Sequence, residues 1–382
     1  MITYAFFSLL TALTAVYLLF LFRIRAGLRY LLHEPAEQLP DIDDPKLPFV
    51  TVLVPARNEE ARIARTLASL RAQRFPADRV EFIMLDDHSE DATARIATAI
   101  AAEDARITIL PSSGSGKKAA ITTGVAMARG EIIVTTDADC EHHEDWLRAM
   151  VHPFMHGADI VAGPVVYTDR RGFLRRLQAM EFLGLVGVGA GFFGIGYPRL
   201  CNGANLAYRR AEFTAVSGFA GNSGIASGDD EFLLHAIVYQ RGGTARFVTA
   251  PASVVRTDPA PTVREFLRQR VRWASKGREY SDGRFVSFLV LLFVYFLFIA
   301  AAPFVSITSP AALGAGMVLL LLKVIADASV LYAAAAMFRQ PFRPLDLIAA
   351  ELLHAYYLVV VSLTGFFGRY TWKNRMLSNS GR

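Results

Sequence analysis

The segment from Ile2 to Phe22, ITYAFFSLLTALTAVYLLFLF, carries no charged residue. About 20 apolar residues are what a helix needs to cross roughly 30 Å of hydrocarbon, and a helix buried in a soluble core seldom lacks a polar face over that length. The basic cluster Arg23, Arg25 and Arg29 follows the run instead of preceding it, the reverse of a secretory leader. Basic flanks stay in the cytoplasm, so the N-terminus is placed outside and the next segment inside. Three further oily stretches close the chain: Val286 to Ile307, Ala311 to Phe338 and Leu345 to Phe367. With 53% hydrophobic residues, 27 Phe and only 20% charge among 382 residues, the chain is neither disordered nor disulfide-stapled, and it is too oily for an ordinary soluble enzyme.

The division that follows is an N-terminal span (1–23), a cytoplasmic linker (24–47), a cytoplasmic soluble domain (48–280), spans at 285–308 and 311–338, a span or re-entrant segment at 345–368, and a basic tail (369–382). The loop with Arg339 and Arg343 suits the cytoplasm, and the uncharged Ser306 to Leu313 connection suits the outside. The tail conflicts with this rule. A full crossing by the last segment would put Arg369, Lys373, Arg375 and Arg382 outside, so either that segment is re-entrant or interfacial or the rule fails. Lys323, Asp327, Glu351 and His354 lie inside oily segments, where lipid exposure is unfavourable; they either pair between helices or meet an acceptor headgroup. Leu183 to Pro198, glycine-rich and about 16 residues long, is short for a span. It is either an interfacial element admitting a lipid or a packed helix or loop.

Between Pro48 and Arg278 short β-rich runs alternate with amphipathic stretches. FVTVLVP (49–55), VEFIMLDD (80–87), RITIL (106–110) and EIIVTTDAD (131–139) read as buried parallel strands; Glu59 to Gln73, Asp91 to Glu103 and Lys117 to Arg129 read as helices. Such alternation predicts an open α/β sheet that takes ligands at the carboxyl ends of its strands.

Polar residues cluster at those ends. Asp137 and Asp139 close the fourth run, and paired carboxylates there suit a hard divalent cation on a phosphorylated ligand; the alternative is a capped, solvated turn. Glu141, His142, His143, Glu144 and Asp145 cannot all face one ion and read as a solvated acidic first helical turn. Asp86 and Asp87 end the second run, and Ala56, Arg57, Asn58 and Glu59 follow the first. Together they can hold a base or ribose, although Asn58 and Ser89 could each be a helix cap. Ser112 to Lys118 fails the ATPase phosphate-loop pattern, having Pro111 and Lys118 where glycine and a hydroxyl are needed, yet Lys117 at a glycine-led helix start can still meet phosphate. Cys140 and Cys201 lack metal-ligand spacing and read as reduced thiols. The net charge of +5 selects no partner. A transporter would leave the soluble domain unexplained, and a nucleic-acid binder would need more than the short basic stretch around Arg268, Arg270 and Arg272.

Taken in order, PARNEE (55–60), LDDHSED (85–91), GKKAAITTG (116–124), DAD (137–139), CNGANLAYRR (201–210), GDDEF (228–232) and QRVRW (269–273) resemble the membrane-integrated inverting glycosyltransferases of the second family, which includes cellulose, hyaluronan and ceramide-glucosyl synthases. The resemblance covers roughly Pro48 to Tyr280. It implies the α/β GT-A fold, with a Rossmann-like, mostly parallel sheet, and transfer from a nucleotide-diphospho-sugar, a UDP-hexose by preference. By resemblance, Ala56, Arg57, Glu59 and Asp86 or Asp87 line the base and ribose. Lys117 approaches the diphosphate, and Asp137 and Asp139 hold Mg²⁺ or Mn²⁺ against it. Asp230, with Asp229 beside it, is the general base, and Gln269, Arg272 and Trp273 close over the site. His88 stands where the family has glycine, which bears on the turn. One N-terminal and three C-terminal segments favour a single addition to a lipid-linked acceptor over processive polysaccharide synthesis, and the presence of every expected acidic position speaks against a catalytically inactive relative. The expected location is the cytoplasmic membrane, with the catalytic domain facing the cytoplasm.

Overall fold

The computed structural model describes residues 1–34, 38–222, 228–307, 309–367, 370–372 and 375–377. Among the described residues nine strands build the α/β unit: β1 (Val50–Ala56), β2 (Val80–Asp86), β3 (Ile107–Pro111), β4 (Ile132–Thr135), β5 (Ile160–Ala162), β6 (Val165–Tyr167), β7 (Leu206–Arg209), β8 (Ala245–Phe247) and β9 (Val255–Thr257). Seven of them form one sheet in the order β3-β2-β1-β4-β7-β5-β8. The first four run parallel. β7 runs antiparallel to both β4 and β5, so the sheet is mostly parallel. β6 and β9 make a separate parallel pair. Parallel strands are covered on both faces and therefore read as continuous apolar runs; β4 and most of β1 and β2 are fully buried. The chain goes outward through β2 and β3 and returns to β4 on the other side of β1. That reversal opens a crevice beyond the carboxyl ends of β1 and β4.

The helices are α1 (Ile2–His33), α2 (Ile63–Arg71), α3 (Thr93–Ala101), α4 (Lys117–Met127), α5 (Trp146–Met155), α6 (Phe173–Gly194), α7 (Arg210–Ala215), α8 (Asp229–His235), α9 (Val263–Ser275), α10 (Gly283–Ser306), α11 (Pro310–Met337) and α12 (Pro344–Phe367). α2 starts four residues after the sequence pattern because the amides of Asn58, Glu59 and Glu60 are engaged elsewhere. They donate to Ser89 Oγ, Thr93 Oγ1 and Asp91 Oδ2 at 3.1, 2.7 and 3.1 Å. Asn58 and Ser89 are thus clips between two loops and not helix caps. His88 has φ 57°, the left-handed conformation that glycine adopts freely; the turn keeps a glycine-like shape and histidine bears the strain.

The expected acidic helical turn before Trp146 is also different. α5 begins after Asp145, and His142 is buried between Ser69 Oγ (2.9 Å) and Thr136 Oγ1 (2.8 Å). Burial pushes its imidazole down to about 3, so the ring is a neutral strut.

Among the described residues five helices, α1, α6, α10, α11 and α12, are long and apolar enough to cross a membrane. Leu183 to Gly194 is the second half of α6, which starts ten residues earlier than that segment. α6 leaves from β6 and returns to β7, both in the α/β unit, so it lies along the junction. A Cβ on Gly27 would collide with the carbonyl of Gly191, and one on Gly191 would meet Ile24, so the backbones of α1 and α6 touch. Of the polar groups within the oily segments, Lys323, Asp327 and Glu351 form one cluster, and His354 lies against the Phe296 ring with centroids 5.4 Å apart. Lys323 bridges Asp327 (2.7 Å) and Glu351, and Tyr17 donates to Asp327 (2.6 Å), tying α1, α11 and α12 together. Arg369, Lys373 and Arg382 lie outside the described residues.

Candidate active site

A cavity of about 1020 Å³ opens at the carboxyl ends of β1 and β4. Of the residues that the resemblance assigns to donor, metal, base or closing roles, all but Asp86 line it. Successive residues at a strand end face opposite ways: the Asp86 carboxylate turns to the amide of Ser89 (3.3 Å), whereas Asp87 is buried and accepts from the Gly116 amide (3.0 Å). That bond seats the glycine turn opening α4 against β2. Arg57 is buried as well, and its guanidinium donates to the carbonyls of Asp87 and His88, each at 2.8 Å. It braces the loop that carries Asp87.

The centre of the site is Lys117. Its ammonium lies 2.7 Å from Asp137 Oδ1 and 3.3 Å from Asp229 Oδ2, which joins the end of β4 to the start of α8 across more than ninety residues of sequence. Burial opposes that charge, but Asp137 and Asp229 outweigh it and raise the ammonium above its usual range. The two α8 carboxylates differ. Asp230 accepts from the amides of Gly203 (3.0 Å) and Glu231 (2.8 Å); burial alone would raise it, yet Lys276, Lys117 and these amides hold it low. Burial raises Asp229, and Lys117 offsets only part of that. Gly203 passes between them: a Cβ there would sit 2.9 Å from Asp229 Oδ2 and 3.0 Å from Lys117 Nζ.

α9 forms the opposite wall. Gln269 Oε1 accepts from Arg270 (2.6 Å) and Tyr167 (3.4 Å). Arg270, unassigned by sequence reasoning, is buried, pairs with Glu181 of α6 and lies 4.2 Å over the Trp273 ring. A cation three residues before an aromatic shares its helix face, and that spacing was the available signal. Lys276 (2.7 Å) and Tyr280 both bind Glu231 behind the α8 carboxylates. No local pattern marks this group.

Among the described residues no set of three or more His, Cys, Asp or Glu side chains is arranged to hold an ion. Asp137 and Asp139 supply two hard oxygen donors, and Asp137 already carries a cationic partner. This fits a divalent cation that shares its remaining positions with phosphate oxygens and water.

Residues 51–213 match the family model described as Glycosyl transferase family 2. They form a family 2 glycosyltransferase domain. The chain is 30% identical over 255 residues to "Probable glycosyltransferase YdaM" of Bacillus subtilis (strain 168), covering 63% of this chain and 58% of that protein. It is 36% identical over 111 residues to "Beta-monoglucosyldiacylglycerol synthase" of Trichormus variabilis, covering 28% of this chain and 24% of that protein. The chain therefore spans under two thirds of the length of these curated relatives. Among solved structures, the mannosyltransferase PcManGT from Pyrobaculum calidifontis, in complex with GDP-Man and Mn2+, superposes with a TM-score of 0.57 at 22% identity, covering 94% of this chain and 98% of that one. The likeness gives the family 2 domain its GT-A fold.

Proposed function

We propose that this protein transfers a hexose from a nucleotide-diphospho-sugar, with inversion, to a hydroxyl of a lipid or lipid-linked acceptor at a membrane surface. The observation that carries the reading is the convergence of Asp137, Lys117, Asp229 and Asp230 on one cavity at the switch point of the sheet. A nucleotide fits the β1 and β2 ends, where Ala56, Glu59 and Asp87 line the wall. Lys117 is placed to exchange Asp137 for the diphosphate as the donor arrives. A divalent cation on Asp137 and Asp139 would neutralise the diphosphate and stabilise the charge that grows on it as the sugar bond breaks. Arg272 and Trp273 both line the cavity; in this reading the first adds a further cation near the diphosphate and the second gives the acceptor an aromatic floor. One base and no second catalytic acid suits transfer from an activated donor; hydrolysis of an unactivated glycoside ordinarily needs two flanking carboxylates.

Asp230 is the proposed base. Its carboxyl is held low and is fixed by two amides, and it takes the proton of the acceptor oxygen as that oxygen attacks the anomeric carbon opposite the departing nucleotide. The raised proton affinity of Asp229 favours it as a second reading. Asp230→Asn and Asp229→Asn separate them: loss of the base lowers transfer by about 10²–10⁴-fold with donor affinity, read by calorimetry, within a few-fold of wild type. Full transfer by both variants would end the proposal. Membranes incubated with radiolabelled nucleotide sugars and then extracted into organic solvent test the acceptor. A discrete extractable product supports the lipid, and an insoluble high-mass product supports a polymer synthase. The diacylglycerol product in the name of one relative supports the lipid.

A further inference from the structure

The cavity does not stop at the polar strand ends. Its lining also includes apolar side chains of three helices: Phe182 and Leu185 on α6, Ala274 on α9, Leu358 and Val361 on α12, with the Phe182 ring 5.8 Å from that of Trp273. Of these, α6 and α12 are long and apolar enough to lie in a bilayer. α12 also stays with the catalytic unit along its whole length. Asp346 in its first turn is 3.0 Å from Arg176 of α6. Tyr357 donates to Glu181 at 3.3 Å and stacks on Phe266 of α9, with ring centroids 5.4 Å apart. Near its end, a Cβ on Gly365 would come within 2.8 Å of Ala274 Cβ and 3.1 Å of the Val271 carbonyl. The strand after it, Tyr370–Trp372, packs on α9 too. A helix of 24 residues is about 36 Å long, enough to cross a bilayer, yet both ends of α12 rest on helices that line the active site.

We propose that α12 is a re-entrant or in-plane helix that returns to the catalytic face, and that α6, α9 and α12 enclose an apolar arm of the active-site cavity that seats the hydrocarbon chain of the lipid acceptor. This rests on the reading of a lipid acceptor above. The arm contributes alignment more than affinity, because a chain leaving lipid for an apolar groove gains little by hydrophobic transfer. What it fixes is the position of the hydroxyl, and a displacement of about 1 Å can cost on the order of 10²-fold in rate. Trp273, stacked under Arg270, marks where the arm meets the polar part of the cavity, as aromatic rings do at a membrane interface. A returning α12 also keeps the basic C-terminal tail on the same side as the other basic loops, which removes the conflict with the charge rule.

The test uses the full chain in nanodiscs containing a diacylglycerol with a diazirine midway along one acyl chain. After irradiation, adducts are mapped by mass spectrometry. The arm predicts adducts at Leu185, Leu358 and Val361, lost severalfold on addition of excess unlabelled diacylglycerol and in Val361→Trp. Adducts confined to the exposed Met317 and Leu321 of α11 would overturn it. Sugar transfer into an extractable lipid with that second pattern would sink the arm and spare the transferase; adducts in the arm with no lipid product from any nucleotide sugar would do the opposite. For the path of α12, a protease-cleavable tag appended after Arg382 is expected to be cut in sealed inverted vesicles together with the catalytic domain. Protection of the tag there would show a full crossing.

Discussion

Lys276 ties the helix that carries both candidate base residues to the segment leading into α10. Its ammonium is 2.7 Å from Glu231 Oε1, and the two side chains are 15% and 5% exposed. Lys276→Met removes the cation and leaves Glu231 buried beside Asp230, with Tyr280 as its remaining hydrogen-bond donor. Stranding one partner of a buried pair costs about 3–5 kcal/mol. For a unit of roughly 150–250 residues each kcal/mol moves the midpoint by about 2–4 °C, so Tm is expected to fall by roughly 6–20 °C. The deficit depends on pH. Burial already holds the Glu231 carboxyl above its usual range against the pull of Lys276, and without Lys276 the rise is larger. A raised folded pKa stabilises the fold in full below the unfolded value, about 4.3, and this contribution is lost as pH rises through the folded value. The variant should therefore approach wild type towards pH 5 and show its full deficit at pH 8. Adding Glu231→Gln removes the stranded charge and should recover more than half of the loss. Thermal unfolding of detergent-solubilised protein, followed by tryptophan fluorescence, measures all of this. A single variant within about 2 °C of wild type at pH 8, or a deficit flat in pH with no recovery in the double variant, would refute the reasoning.

Gly203→Ala places a Cβ against Asp229 and Lys117, displacing both by a few tenths of an ångström. Transfer is expected to fall ten- to a hundredfold with a loss of stability of about 1–3 kcal/mol, and unchanged kcat would show that these groups move freely. Asp137→Asn removes one of two hard donors, so donor binding should weaken at least tenfold in calorimetry and lose most of its response to added Mn²⁺ and to chelator. A response equal to wild type would take the cation off this residue. Arg270→Met strands Glu181 and frees the Trp273 ring. The melting midpoint should drop as for Lys276→Met, and Glu181→Gln in the same chain should restore stability but not kcat, since the ring stays unsupported.

The sequence pattern placed the strand ends well because strands covered on both faces must be apolar throughout and polar where they stop. It could not supply the direction of β7. Leu206–Arg209 is a four-residue run whose composition carries no direction, and its pairing with β4 and β5 sets it antiparallel. Parity explains Asp86 and Asp87: two adjacent carboxylates at a strand end guarantee that one faces the crevice without saying which. Arg57, given a place at the base and ribose by the resemblance, does line the cavity. Its main partners are backbone carbonyls, which have no signature in sequence.

Charges inside oily segments were legible as groups in need of partners, because lipid offers none. The identity of each partner was not. Lys323 and Asp327 are one helical turn apart, a spacing visible in the chain, whereas Glu351 and Tyr17 come from other helices. The same limit applies to the last helix, with an instructive difference. Hydropathy alone made it a span, and the basic residues after it objected. Hydropathy reports only how apolar a segment is, and a helix lying in the membrane plane against α6 and α9 is as apolar as one that crosses. The charge asymmetry reports where the ends lie, which is the quantity a crossing changes. Where the two disagree, the proposed in-plane path of α12 follows the charges and uses the contacts of Asp346, Tyr357 and Gly365 with α6 and α9, and for that reason the path of α12 is the feature on which the position of the proposed acceptor turns.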